Sequence, residues 1–182
     1  MKVLIVVDMQ EDFIRGALGT AEAEAIVDHV VARIKNSENE LILFTQDTHQ
    51  NDYLSTTEGK HLPVIHCVEN TPGWAIDSRV FSAWEANKNT IRHPALVGNT
   101  FKKPVFGSVE LVAFLSGLEE DFEQIEILGL CTDICVVSNA IMIKNILPDV
   151  PLVVNESCCA GVSPETHQQA MNVMQCCQIG VV

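Results

Sequence analysis

The chain has 182 residues, 24 acidic against 11 basic side chains, a formal charge of -13 and 47% apolar residues. This length fits one compact domain over residues 1–182 with a sizeable buried core. The negative balance repels polyphosphate and anionic lipid, which argues against nucleic acid and membrane surfaces as partners.

The apolar start Lys2-Val3-Leu4-Ile5-Val6-Val7 meets Asp8 at once. It is too short for a signal-peptide core or a bilayer span, so a cytoplasmic protein is expected. Residues 3–7 form the first of several short apolar runs rich in β-branched side chains, the pattern of a fully buried strand. In chain order the reading continues with a helix over 21–35, a strand over 41–45, a long segment over 48–63, a strand over 64–67 and a helix over 75–87. A second long segment over 92–107 leads to a helix over 109–118, a strand over 125–128, a helix over 134–145 and a strand over 152–154. A third irregular segment, 155–163, precedes a helix over 164–176 with a cap-like Ser163-Pro164-Glu165 start, and a strand over 179–182 closes the chain. Strand and helix alternate, which predicts a three-layer αβα architecture with a mostly parallel, Rossmann-like central sheet of about six strands.

Seven cysteines are an odd number, and the adjacent pairs Cys158-Cys159 and Cys176-Cys177 fit neither a zinc knuckle nor a spaced disulfide framework. Most read as reduced packing residues. Cys135 differs: residues 128–137 join a strand to a helix, with Thr132 or Asp133 as a natural N-cap, which puts Cys135 in the first helical turn. There the free N–H groups and the positive dipole end favour a thiolate and can hold a developing oxyanion. Such a nucleophile needs a proton acceptor and an orienting charge; Asp8, after the first strand, and Lys103, in the loop 101–108, are the candidates.

A second cluster is Asp47-Thr48-His49, Glu58 and His66. Asp and His at i and i+2 in an extended segment project to one side, and a further His makes a carboxylate–imidazole set suited to a divalent metal, Zn, Mn or Fe.

The runs Asp8-Met9-Gln10-Glu11-Asp12-Phe13, Lys103-Pro104-Val105-Phe106-Gly107-Ser108 and Gly129-Leu130-Cys131-Thr132-Asp133-Ile134-Cys135-Val136 resemble, in order and spacing, the signature of isochorismatase-like cysteine hydrolases. The pattern Asp47-x-His49 followed by His66-Cys67-Val68 and Asn70-Thr71-Pro72-Gly73 resembles the nicotinamidase/pyrazinamidase branch. The resemblance implies Asp8 as general base, Lys103 as orienting cation and Cys135 as nucleophile. It also implies a cis peptide at Leu130-Cys131, with the N–H groups of Cys131 and Cys135 as oxyanion hole. It further implies one divalent metal, zinc first, on Asp47, His49 and His66, with Glu58 preferred over His61 as the fourth ligand.

By the same resemblance the activity is hydrolysis of a small heteroaromatic amide such as nicotinamide to the acid and ammonia through a thioester. A carbamoyl or ureido substrate is the alternative, and isochorismate cleavage ranks lower. Phe13 would line the substrate pocket or serve as ordinary core packing. Leu62 would stand at the pocket wall, where this chain has Leu62-Pro63-Val64-Ile65-His66 in place of the family's usual aromatic. Glu11 stands where Asn is common, and Trp74 is a second potential aromatic. The high apolar content makes a homo-oligomer the expectation.

Overall fold

The structure, a computed structural model, describes residues 1–182. Its first strand, β1 (Lys2–Val7), is buried at every residue after Lys2. That suits a central strand with helices on both faces. β2 (Glu40–Asp47), β3 (Thr100–Lys103), β4 (Gln124–Leu130), β5 (Leu152–Ala160) and β6 (Gly180–Val181) join it in one sheet of order β3-β2-β1-β4-β5-β6. Every pairing is parallel, so the expected six-strand sheet is present and is parallel throughout.

The helices are α1 (Glu11–Ile14), α2 (Ala21–Ala25), α3 (Val27–Lys35), α4 (Thr57–His61), α5 (Ser78–Ala86), α6 (Val109–Gly117), α7 (Val137–Ile146) and α8 (Pro164–Cys176). α3 packs on α5, while α7 packs on α6 and α8, giving two helix layers with the sheet between them. Val27, Val30 and Ile34 of α3, Leu111 and Leu115 of α6, and Met171 and Met174 of α8 bury the faces that meet the sheet. Ser163 caps α8 as its sequence suggests, bonding the Thr166 N–H ahead of a proline in the first turn. No helix is long and apolar enough to cross a membrane.

Strand order reverses between β1 and β4, so connections leave their carboxyl ends in opposite directions and open a crevice there. Asp8 follows β1, and Cys131 to Cys135 follow β4. Gly129 makes the approach possible. Its φ is +118°, and a Cβ there would lie 2.1 Å from the Val7 carbonyl oxygen, so no larger residue lets β4 pass β1 in this conformation.

Several expected elements differ. Residues 64–67 are not a strand: Pro63 brings no N–H, Cys67 takes a left-handed φ of 45°, and the only ladder contact nearby is an isolated bridge between His49 and Val68. The missing strand is replaced by β3, four residues with weak apolar character hidden inside the long segment 92–107. β5 runs to Ala160 because Cys158, Cys159 and Ala160 are buried beyond a register shift; the polar Asn155-Glu156-Ser157 in between masked the continuation. The helix over 21–35 is interrupted at Ile26, and the segment 48–63 holds a 3₁₀ turn at Tyr53–Ser55 and the short α4.

Replacing Gly129 by Ala is expected to destabilise the protein by about 3 kcal/mol or more, from the left-handed φ and the backbone clash together. Gly117→Ala, where an added Cβ meets nothing within 4 Å, is the control and is expected to be neutral or mildly stabilising. Urea denaturation of both variants checks the contrast.

Candidate active site

β1 delivers Asp8 with a φ of 45°, a conformation that Asp tolerates better than most residues. Thr45 on β2 fixes its carboxylate, donating its hydroxyl to Asp8 Oδ1 at 2.7 Å. β3 ends at Lys103, whose side chain is buried, and the Lys103 ammonium is the meeting point of the site. Its Nζ lies 2.6 Å from Asp8 Oδ2, 3.2 Å from Asp47 Oδ1 and 3.4 Å from Cys135 Sγ. The three residues expected to act together, from three distant parts of the chain, therefore share one contact.

Cys135 sits in a single π turn, Thr132–Val136, that leads into α7. Such turns recur at functional sites. The Cys131 carbonyl, at the cap position, accepts from the N–H groups of Ile134 and Val136, both at 3.1 Å. Thr132 and Asp133 are not the caps the sequence suggested. Thr132 Oγ1 is paired with His167 Nδ1 at 2.8 Å, and the Asp133 carboxylate accepts the Val162 N–H. The Leu130–Cys131 peptide is cis, as the resemblance implied.

Charge in this buried space is divided unevenly. Burial works against the Lys103 ammonium, but the carboxylates of Asp8 and Asp47, with the Cys135 sulfur beside them, outweigh it and hold the proton on. Burial raises the Asp47 pKa, yet its contact with His49 and the Lys103 charge more than offset this and keep it ionised. Asp8 goes the other way: burial, with the nearby Asp47 charge, outweighs Lys103 and lifts its carboxyl above the ordinary 3.8. The Cys135 thiol is raised well above its ordinary value by burial and by Asp8, against the pull of Lys103. Burial and the carboxylates therefore oppose the thiolate that a helix start favours, while Lys103 promotes it.

Next to this cluster, Asp47, His49 and His66 bring one ligand atom each to within 4.8 Å of one another, all three residues buried. Asp47 Oδ2 lies 2.9 Å from His49 Nε2 and 3.6 Å from His66 Nε2. The 2.9 Å approach of Asp47 lacks hydrogen-bond geometry, so the buried His49 Nε2 is left without a hydrogen-bond partner, as a nitrogen that a metal satisfies would be. His66 Nδ1 contacts the Val64 carbonyl at 2.7 Å, which leaves Nε2 facing the cluster with its lone pair free. Glu58 Oε1 stands 3.6 and 3.9 Å from the two imidazoles. With Asp8, Asp47 and Glu58 set against Lys103, the region carries a surplus of negative charge, so donors and charge both fit a divalent cation. His61 is exposed, its ring turned to the Thr57 carbonyl of its own helix. It is not at the cluster.

A cavity of about 320 Å³, near the small end of ligand pockets, opens over both groups and is walled mainly by apolar side chains. Phe13 and Leu62 line it as expected, with Asp47, Glu58, His66, Cys131 and Cys135. Leu130 is buried behind it. Leu18, Thr20, Ala23, Phe106, Ile134 and Val162 complete the wall and were not singled out by sequence. Trp74 is elsewhere, donating its indole N–H to Thr48 and lying under the Lys102 ammonium, and Glu11 pairs with Arg15.

Three supporting residues also went unread. Gln10 bonds both the Asp47 N–H and its carbonyl, at 2.7 and 2.9 Å. Asp12 accepts the Cys67 N–H at 2.8 Å, pinning the corner after His66, and packs so closely on Gly73 that a Cβ there would lie 2.1 Å from its carboxylate. Tyr53 places its ring 4.6 and 5.0 Å from those of His49 and His66. Gln10 and Asp12 lie inside the run that begins at Asp8, a signal that could have found them; Tyr53 lies in an irregular segment that gives none.

The isochorismatase domain family matches residues 2–182. The chain is similar to the solved pyrazinamidase of Pyrococcus horikoshii in complex with zinc, with 26% identity, a TM-score of 0.75, and coverage of 100% of this chain and 98% of that one. It is also similar in fold to the nicotinamidase/pyrazinamidase of Bacillus subtilis (24% identity, TM-score 0.79, 100% and 98% covered). A third similar fold is the pyrazinamidase/nicotinamidase of Streptococcus mutans (24% identity, TM-score 0.80, each chain fully covered). No curated protein sequence matches the chain.

Zinc titrated calorimetrically into chelator-treated protein is expected to bind at one ion per chain. Asp47→Asn or His66→Ala should weaken that binding at least about tenfold, whereas His61→Ala should leave it unchanged. Equal losses in all three variants would contradict the assignment.

Proposed function

This chain is a hydrolase of the isochorismatase family, and on that premise we propose that it is a metal-assisted cysteine amidohydrolase converting a small heteroaromatic carboxamide such as nicotinamide to the acid and ammonia. The observation that carries the reading is the Lys103 ammonium held within 3.4 Å of Asp8, Asp47 and Cys135, beside a buried Asp-His-His set. The zinc in the Pyrococcus horikoshii pyrazinamidase supports a divalent ion at this set.

Residues Asp47, His49 and His66, with Glu58 as a fourth donor, would hold the metal, which when bound supplies a Lewis-acid contact for a ring nitrogen. The apolar walls at Phe13, Leu62 and Phe106 take a flat ring and exclude water from the reacting carbon. Asp8 removes the Cys135 thiol proton as Sγ attacks the carboxamide carbon, and Lys103 steadies the charge that develops between them. The N–H groups of Cys131 and Cys135 receive the oxyanion. Asp8 returns the proton to the nitrogen, and ammonia leaves. The Cys135 thioester is then opened by a water that Asp8 deprotonates, releasing the acid and restoring the thiol.

The aliphatic side chains of Leu18, Leu62, Ile134 and Val162 also suit a non-aromatic carbamoyl or ureido compound, the second reading. Isochorismate ranks lower, because cleavage of its vinyl ether needs no ligand set such as Asp47, His49 and His66.

Metal-loaded protein incubated with a panel of heteroaromatic amides, carbamoyl and ureido compounds is expected to release ammonia from a heteroaromatic amide. Cys135→Ala should abolish release, lowering it by at least about 10³-fold. Turnover confined to carbamoyl compounds would move the assignment to the second reading, and none at all would end both.

The acid limb of kcat/KM is set by Asp8, active when ionised. Its raised carboxyl predicts that activity falls, as the pH drops, at values above the ordinary carboxyl pKa of 3.8. A pH–rate profile that stays flat down to that value in folded protein would remove Asp8 as the base.

A further inference from the structure

The turn that carries Cys135 is tied to the far side of the site at two points. Asp133 accepts the Val162 N–H through both carboxylate oxygens, at 3.1 and 3.2 Å. Thr132, fully buried, has its hydroxyl 2.8 Å from Nδ1 of His167 on α8. The chain beside this contact is tight, since a Cβ on Gly161 would lie 3.0 Å from the His167 backbone. α8 therefore holds His167 in place against the start of the turn, whose later residues are anchored separately by Ser138 on the Ile134 carbonyl at 2.6 Å, Asn139 on the Cys135 carbonyl at 2.8 Å and Lys103 on the Cys135 sulfur.

We propose that His167 is a positioning residue for the nucleophile: its Nδ1 contact with Thr132 fixes the π turn and so presents Cys135 and the Cys131 N–H to the cavity. Thr132 is adjacent to Cys131 and three residues before Cys135, so a rotation at Thr132 moves both ends of the oxyanion-binding turn. Without the imidazole, the buried hydroxyl loses its side-chain partner, which favours a shift of the turn that satisfies it. The other ring nitrogen, Nε2, stands 3.8 Å from Glu156 Oε1, beyond hydrogen-bond reach, so the holding contact is at Nδ1. The effect on turnover rests on the amidohydrolase reading. The effect on the sulfur's accessibility does not.

The two ring nitrogens can be separated by substitution, because an Asn amide falls where Nδ1 lies and a Gln amide reaches to Nε2. Alkylation of Cys135 by iodoacetamide, followed by peptide mass spectrometry, is compared for wild type, His167→Ala, His167→Asn, His167→Gln and Thr132→Val, alongside kcat, KM and thermal midpoints. Ala, Gln and the near-isosteric Thr132→Val are expected to expose the sulfur and speed its alkylation several-fold. The same variants should lower kcat about tenfold while KM stays within about twofold, and His167→Asn should restore wild-type behaviour in both. Thr132→Val and His167→Asn keep the question open to test should His167→Ala fail to fold. The proposal is overturned if His167→Asn is as impaired as Ala, if alkylation is unchanged in all variants, or if every loss simply follows the thermal midpoint. A wild type that hydrolyses no amide would end the functional reading, and the alkylation rates would still decide the role of His167.

Discussion

One buried ammonium organises this site. Lys103 is almost wholly removed from water, and its charge is compensated by two carboxylates from different strands, Asp8 and Asp47. Breaking such a buried cluster at any one member leaves an uncompensated charge, so the cluster is held together by the cost of its alternatives as much as by its attractions. The unequal sharing of one cation between two carboxylates also has a chemical result. Asp47 stays ionised while the Asp8 carboxyl is lifted above its ordinary range, and both share Lys103 with the sulfur.

Asp47 has a second contact that ties the chemistry together. One carboxylate oxygen meets Lys103 and the other meets His49. The half of the site around Cys135 and Lys103 and the half formed by the Asp-His-His set are thus joined through a single side chain, whose backbone Gln10 grips from both sides. A change of charge at one half is felt at the other through a rigid intermediary at the end of β2. The fold supplies that rigidity: Asp8, Asp47 and Lys103 all stand at or just beyond the carboxyl ends of neighbouring parallel strands, and Gly129 lets β4 close on β1 so that Cys135 can reach them.

The parts of this arrangement legible in the sequence are those that depend on short-range patterns. Buried parallel strands announce themselves as β-branched runs, and Asp8, Lys103 and Cys135 occur in runs whose spacing resembles a known family. What depends on pairing across the chain was not legible. β3 is a strand because β2 offers it an edge, although its own residues Thr100-Phe101-Lys102-Lys103 read as a loop. Residues 64–67 look like a strand and are not, because Pro63 and the left-handed Cys67 prevent pairing. Among site residues, Tyr53, Phe106 and His167 are recognisable only once the segments that carry them are placed against the histidines, the cavity and the turn that holds Cys135. The balance at Cys135 was not legible for a related reason: a helix start argues for a thiolate, but the burial and carboxylates that oppose it come from other elements.

The central claim, that Lys103 neutralises two buried carboxylates, is tested most directly by the pH dependence of stability in Lys103→Met, measured by urea denaturation of metal-free protein against wild type. Without the ammonium, the Asp8 carboxyl is pushed further above its ordinary 3.8 and Asp47 loses one of the contacts that keep it ionised, so the folded form takes up protons as the pH falls and is relieved by them. The variant should therefore be less stable by about 3–5 kcal/mol near neutral pH, with the deficit shrinking towards about pH 5. A deficit of the same size at both pH values, or none at either, would contradict the account.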